Sequence, residues 1–259
     1  MQQYVRAASV GHALELLRDS EGAVLVAGGQ TVLLQRPQPR LLVDIGRLDA
    51  LRQLHTENGE LVLGPLVRLD RLARSALVAE HAPLLAHCAA GMGDPQLRHQ
   101  ATLGGALCGV PDGELVAAAV TLDAVIGVRT PTGAETVTMK QFLSRRDRPT
   151  RPAAEIVTDI RIPCPGGRWG YAKLTRRSWG RPDMIAATAQ GRITIVDAPC
   201  APLRAAAAEA ALAATGDRTH AIALVPDLIT PGGPPRTPLD YRRQLAAVLT
   251  DRALKQAGW

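Results

Sequence analysis

The sequence predicts an α+β protein organised as three consecutive units. At 259 residues and 46% hydrophobic, the chain is long enough to bury two or three separate cores. Strand-like apolar runs and helical spacings are mixed along its length. The pattern changes near residues 55 and 165, the second change marked by Pro163, Pro165, Gly166 and Gly167.

In the first unit, residues 1–55, Ser9 precedes VGHALELLRD, in which Val10, Ala13, Leu14 and Leu17 follow helical spacing behind an N-cap residue. Strands are predicted over 23–27 and 41–45, separated by a glycine turn and a Pro-containing connection. The second unit, residues 56–167, opens with LVLGPLVRL as a strand and continues with LDRLARSALVAEHAPLLAHCAAGM as two helices broken near Pro83. Apolar pieces follow over 103–107, 116–120 and 124–129. TPTGAETV predicts a hairpin turning at 131–133, and alternation over 156–162 a further strand. The third unit, residues 168–259, contains YAKLTRRS, DMIAATA and GRITIVDA, then an alanine-rich helix over 203–214 and a hinge at PGGPPRTP. Its last helix is predicted to place Leu245, Val248, Leu249 and Ala253 on an apolar face, with the arginines opposite.

The formal charge of +6 is spread out, with clusters at Arg145, Arg146 and Arg148 and at Arg176 and Arg177 that suit solvated faces or anionic-ligand contacts. Seven aromatic residues leave little for stacking on bases, which argues against a nucleic-acid partner. Cys88, Cys108, Cys164 and Cys200 are far apart and lack metal-ligand spacing, so they read as reduced, separate thiols and no metal site is predicted. No stretch approaches the roughly 18 apolar residues of a membrane helix, and Met1 leads into QQYVRAASV rather than a signal core. A cytoplasmic protein is the default expectation.

Two glycine pairs stand out. VLVAGGQTVLLQ (24–35) and ATLGG (101–105) each set two residues without side chains beside an apolar run. Either pair is a tight turn or a backbone cradle for an anion. Neither belongs to a GxGxxG or GxxxxGK[ST] motif, so a nucleotide site here would be of another kind.

Three stretches carry a resemblance to the FAD-binding medium subunits of molybdenum hydroxylases, the group of carbon monoxide dehydrogenase flavoprotein and xanthine dehydrogenase: AGGQTVLL at 27–34, DPQLRHQATLGGAL at 94–107 and YRRQLAAVLTDRAL at 241–254. LLVDIGRLDALRQL, HAPLLAHCAAGMGDPQ and EIVTDIRIP add weaker support, and the order is kept over nearly the whole chain. The resemblance implies a two-subdomain FAD-binding fold of the vanillyl-alcohol oxidase and CO dehydrogenase flavoprotein type, followed by a small α+β C-terminal domain. It implies non-covalent FAD. Ala27, Gly28, Gly29, Gln30 and Thr31, with Val32 following, would line the pyrophosphate through backbone N–H groups and the Thr31 hydroxyl. Thr102, Gly104 and Gly105 would approach the same diphosphate and the ribityl chain.

Glu114 matches an acidic position suited to accept from a ribose or ribityl hydroxyl; its plainer reading is a solvated loop carboxylate. Lys173 and Asp183 match positions near the flavin, where a cation at the N1/O2 edge stabilises the reduced anionic ring. The plainer reading is a surface ion pair. Cys108 is read as a small apolar residue before a redox thiol or attachment point, and His87 and His99 as histidines without obvious partners. No catalytic residue is assigned.

The chain departs from the family pattern in CGVPDGEL, where the loop after the second glycine pair is shorter, and in SWGRPD, where Gly-Asp-aromatic is more usual. Between Asp183 and the alanine-rich helix the C-terminal domain looks trimmed. The implied function is an electron-transfer subunit that takes electrons from iron–sulfur clusters of a small subunit, fed by a molybdopterin large subunit, and passes them through FAD to NAD, oxygen or another acceptor. Two alternatives stay open: a stand-alone FAD oxidase or dehydrogenase of a small organic substrate, as a homo-oligomer if so, and a scaffold that no longer holds flavin.

Overall fold

Three sheets, one to each stretch of chain, organise the molecule. The computed structural model describes residues 3–30, 32, 39–109, 113–146, 154–164, 166–176, 180–231 and 237–259. Thr31, Arg148, Pro165 and Arg177, named above, lie outside the described residues, as do Pro111 and Asp112 of CGVPDGEL, Trp179 of SWGRPD and residues 232–236 of the PGGPPRTP segment.

The first sheet is parallel, in the order β1–β3–β2, with β1 at Gln3–Arg6, β2 at Val24–Val26 and β3 at Leu41–Asp44. Helix α1, Val10–Asp19, connects β1 and β2; the Ser9 hydroxyl accepts from the His12 N–H at 3.0 Å, and Ala13, Leu14 and Leu17 are buried. The sequence reading missed β1, whose residues QYVR are mostly exposed and show no apolar alternation. Because the strands run parallel, their carboxyl ends share one edge of the sheet, where α/β folds place ligands. Ala27, Gly28 and Gly29 follow β2 at that edge.

The second sheet is antiparallel in the order β4–β5–β8–β6–β7. It comprises β4 Leu54–Glu57, β5 Glu60–Leu63, β6 Val125–Thr130, β7 Gly133–Thr138 and β8 Ile156–Pro163. The predicted strand from residue 61 is shorter than expected and is half of a hairpin, since Gly64 and Pro65 end β5. The predicted helical pair is three helices, α2 Leu69–Arg74, α3 Ala76–His81 and α4 Pro83–Gly91. The additional break falls at Ser75, whose hydroxyl accepts from the Val78 N–H at 3.3 Å and so caps α3. Helices α5 Pro95–Gln100, α6 Leu103–Gly109, α7 Glu114–Thr121 and α8 Met139–Arg146 complete the layer over this sheet's core.

The third sheet, β12–β11–β10–β9, is antiparallel and comprises β9 Trp169–Leu174, β10 Met184–Ala189, β11 Arg192–Asp197 and β12 Leu203–Arg204. Leu203 and Arg204 pair with β11 rather than opening the alanine-rich helix, α9, which spans Ala206–Thr215. Helices α10 Arg218–Ala223 and α11 Leu239–Gln256 follow, and α11 packs on β9 and β10. Its buried face corrects the predicted one: Arg242, Ala246, Leu249, Thr250, Ala253 and Leu254 are inside, while Val248 is 41% exposed. Arg242 is drawn inward because Asp197 at the end of β11 pairs with it there, and the Thr230 carbonyl accepts a second bond at 2.9 Å.

Strand β9 alternates between two neighbours. Gly170, Ala172 and Leu174 face α11, and a Cβ at Gly170 would fall within the van der Waals radius of the Ala253 carbonyl oxygen. Trp169 and Tyr171 pack instead against the core under the second sheet. Two-residue periodicity thus joins the third unit to the second. Among the described residues no single helix is long and apolar enough to cross a membrane.

Candidate functional site

A cleft of about 690 Å³ lies where the three units meet, within the roughly 300–1,000 Å³ range of small-molecule and cofactor sites. Its walls include Ala27, Gly28, Gly29, Gln30 and Val32 from the first unit. Thr102, Gly104, Gly105, Cys108 and Glu114 come from the second, and Gly180, Arg181 and Pro182 from the third. The structure therefore brings the two glycine pairs, some seventy residues apart, onto one concavity.

The first pair turns sharply after β2. Gly29 has φ +79°, and nothing lies within 4 Å of the place a Cβ would occupy. Gly28 is glycine for another reason: a Cβ there would overlap the Gln100 carbonyl oxygen. The Gly28 and Gly29 N–H groups have no hydrogen-bond partner among the described residues, and Gln30 and Val32 are helical. Unpaired amides on an open concave turn suit an anion. The Gln30 side chain donates to that of Gln100, closing the first unit on the second.

The second pair is self-satisfied. The Leu103 N–H donates to the Val67 carbonyl at 2.9 Å and the Gly104 N–H to the Pro65 carbonyl at 2.8 Å. The Gly105 N–H donates to the Thr102 hydroxyl at 3.1 Å. A Cβ on Gly104 would come 2.6 Å from Pro65 Cβ, so this glycine allows α6 to lie on the Gly64–Pro65 turn.

Arg68, which the sequence reading did not single out, stands behind the first pair. Its guanidinium donates to the Gln100 carbonyl, has no carboxylate partner among the described residues, and lies 3.1 Å from where a Gly28 Cβ would be. Burial, then the nearby Arg52, lowers its pKa. Nothing in LVRLDRL distinguishes it from the arginines around it; its place is set by the backbone bridge between Arg68 and Thr102 within the second unit, which brings it beside Gly28 of the first.

Glu114 is not a solvated loop carboxylate. It is the first residue of α7, 5% exposed, and accepts from the Tyr171 hydroxyl at 2.6 Å and from Lys173 Nζ at 2.8 Å. Lys173 stands behind Glu114 and is absent from the cleft wall. Asp183 is absent too: its carboxylate accepts from Arg176 at 3.1 Å and borders a separate 260 Å³ pocket with Asp197 and Arg242. Cys108 reaches the cleft and also packs against the core, and none of the four cysteines forms a disulfide.

The two histidines have partners that the sequence did not reveal. His99 Nδ1 lies 3.6 Å from Asp70. His87 on α4 is pressed against Trp169 and Tyr171, at centroid distances of 5.1 and 5.3 Å. His87 is exposed on one side, and its partial desolvation against these rings lowers its pKa, with Glu114 opposing and Lys173 adding to the shift. Burial, then Cys88 and Glu114, pushes the Tyr171 hydroxyl far above its ordinary range, so it is a donor at every physiological pH.

Residues 1–165 match the family described as the FAD binding domain in molybdopterin dehydrogenase. The chain belongs to that family. FAD is the cofactor this membership assigns, and the class is that of FAD-dependent oxidoreductases. The chain is 30% identical to the nicotine 6-hydroxylase medium subunit of Paenarthrobacter nicotinovorans over 203 residues, 75% of this chain and 72% of that protein. It is 27% identical to the 6-hydroxypseudooxynicotine dehydrogenase complex subunit alpha of the same organism, over 98% of this chain and 93% of that one. The carbon monoxide dehydrogenase of Hydrogenophaga pseudoflava that lacks the Mo-pyranopterin moiety superposes with a TM-score of 0.88 at 30% identity, covering 99% of this chain and 97% of that one. Quinoline 2-oxidoreductase from Pseudomonas putida 86 gives 0.87 at 25% identity, with 99% and 96% covered. The α+β, FAD-binding flavoprotein fold expected from the sequence is the fold observed, and the superposition extends it beyond residue 165.

The residues present fit the cofactor. A diphosphate needs donors without a side chain in the way, which Gly28 and Gly29 supply; a polyol needs an acceptor, which the Glu114 carboxylate supplies.

Proposed function

We propose that this chain is the FAD-bearing medium subunit of a molybdenum-containing hydroxylase or dehydrogenase. In this role it takes electrons from iron–sulfur clusters of a small subunit, supplied by a molybdopterin large subunit, and passes them to NAD, oxygen or another acceptor. The observation that carries the cofactor assignment is the pair of unpaired amides at Gly28 and Gly29 on the floor of a cleft closed by all three units. The relatives named as medium subunits or medium chains supply the partner classes. When bound, FAD supplies exchange between electron pairs and single electrons.

In this reading residues 1–55 and 56–167 clasp the cofactor and 168–259 close over it. Gly28, Gly29 and the segment through Val32 hold the diphosphate, and Arg68 adds a half-buried positive charge behind them. Thr102, Gly104 and Gly105 shape the opposite wall, and Glu114 accepts from a cofactor hydroxyl or N–H. Lys173 acts on the site through Glu114, and Asp183 shapes the neighbouring pocket rather than the cofactor.

The test is size-exclusion chromatography of the natively expressed chain with full-spectrum detection. Flavin absorbance co-eluting with two further chains and iron–sulfur absorbance is the expected result. A yellow particle made of this chain alone would replace the subunit reading with a stand-alone flavoprotein. A colourless particle that also fails to take up added FAD would remove the cofactor assignment.

A further inference from the structure

Tyr171 is half-buried, is matched by none of the site motifs, and yet makes a short hydrogen bond, 2.6 Å, to Glu114 of the cleft wall. Its position follows from the two-residue period of β9, which carries Trp169, Tyr171 and Lys173 on the side away from α11. His87 packs on Trp169 and Tyr171, so the tyrosine ring has little room to turn.

Glu114 is the group on which these side chains converge. As the first residue of α7, its carboxylate is close to its own helix's unpaired N–H groups, the usual partners of an acid in a first turn. It bonds across the unit boundary instead, with Oε2 taken by Tyr171 and Oε1 by Lys173. Stability does not require this arrangement, because a buried ion pair is no better than a packed apolar pair of the same volume. What it achieves is orientation. A carboxylate has about four acceptor sites; two are used, and the remainder belong to a residue that lines the cleft.

We propose that Tyr171 is a positioning residue for the cofactor site. Its hydroxyl holds Glu114 in the orientation that accepts a hydrogen bond from a hydroxyl or N–H of the flavin nucleotide, and Lys173 holds the other oxygen. This rests on the FAD reading above. It also gives the third unit a part in cofactor binding through β9, without touching the diphosphate turn.

A double-mutant cycle on the full-length chain, stripped of flavin and titrated with FAD by fluorescence quenching, tests it. Tyr171→Phe keeps the ring against His87 and removes only the hydroxyl. We expect it to weaken FAD binding about tenfold, the size of a charge-assisted hydrogen bond, and to have almost no effect once Glu114→Ala is present. An equal loss in both backgrounds would show that the tyrosine acts by packing and would overturn the proposal, as would undiminished affinity in the single variant. If Glu114→Ala does not fold, Glu114→Leu, which fills more of the volume and accepts no hydrogen bond, takes its place in the cycle. Wild-type protein that binds no FAD would overturn the cofactor reading itself; wild-type protein that binds it with additive losses overturns only the positioning role.

Discussion

The two glycine pairs look alike in the sequence and do different work. In each, the first glycine is required by packing: Gly28 against the Gln100 carbonyl and Gly104 against Pro65. The second glycines differ. Gly29 has positive φ, open space and unpaired amides around it, whereas the Gly105 N–H is already engaged by Thr102. The lesson is that a glycine motif is an anion site only where the surrounding fold leaves its donors unused. On this reading the first turn binds the diphosphate and the second shapes the wall against which it lies.

The sharpest break of that comparison is Gly28→Ala. A methyl group there meets a backbone oxygen that cannot move without separating the first two units, so about 3 kcal/mol of stability should be lost, the upper part of the usual range for overpacking. The urea unfolding midpoint reads it. An unchanged midpoint would mean that the two units do not meet at Gln100 in solution.

Gly29→Asp separates fold from ligand. The side chain enters open space, so the cost to stability is the positive-φ strain alone, about 1–2 kcal/mol. The added carboxylate opposes a diphosphate, and FAD affinity should fall on the order of a hundredfold or more, since like charges in contact cost several kcal/mol. Retained affinity would remove Gly29 from the site.

Thr102→Val probes the other turn. Losing the hydroxyl leaves the Gly105 N–H without its cap and should cost about 1 kcal/mol. FAD affinity should stay as in the wild type, because Thr102 is 2% exposed and its hydroxyl oxygen serves as the helix cap. A large loss of affinity with intact stability would return Thr102 to the diphosphate and make the two turns equivalent.

Much of this was legible in the sequence, and the gaps have physical causes. Helix α1 shows its cap and its spacing openly, and the order of the motifs identified the cofactor class. The β4–β5 hairpin was missed although Asn58 and Gly59, with φ 52° and 79°, are the residues a two-residue hairpin turn demands. LHTE, which precedes them, is mostly exposed and gives no apolar run to read. Arg242 was assigned to the solvent face of α11 because its partner, Asp197, lies 45 residues away. The same limit hid Tyr171. The period-two pattern of WGYAKL was available, but nothing local reveals that one face meets an α-helix and the other a buried carboxylate.

The smallest expected effect concerns His87, which packs behind Glu114 rather than on the cleft wall. His87 faces Glu114 of α7 and Lys173, Tyr171 and Trp169 of β9; partial desolvation disfavours its protonated form, Lys173 does so too, and Glu114 works the other way. Its pKa in the folded chain is therefore below the unfolded value of about 6.5. A base whose pKa falls on folding binds more protons when unfolded, so its contribution is fully present above pH 6.5 and is lost as pH falls below it. The melting temperature of the wild type should then drop more steeply between pH 7 and 5.5 than that of His87→Gln, which cannot take up the proton. Parallel slopes would show that His87 remains solvated. They would also show that the packing of His87 on the rings of Trp169 and Tyr171 is looser in solution than the centroid distances of 5.1 and 5.3 Å imply.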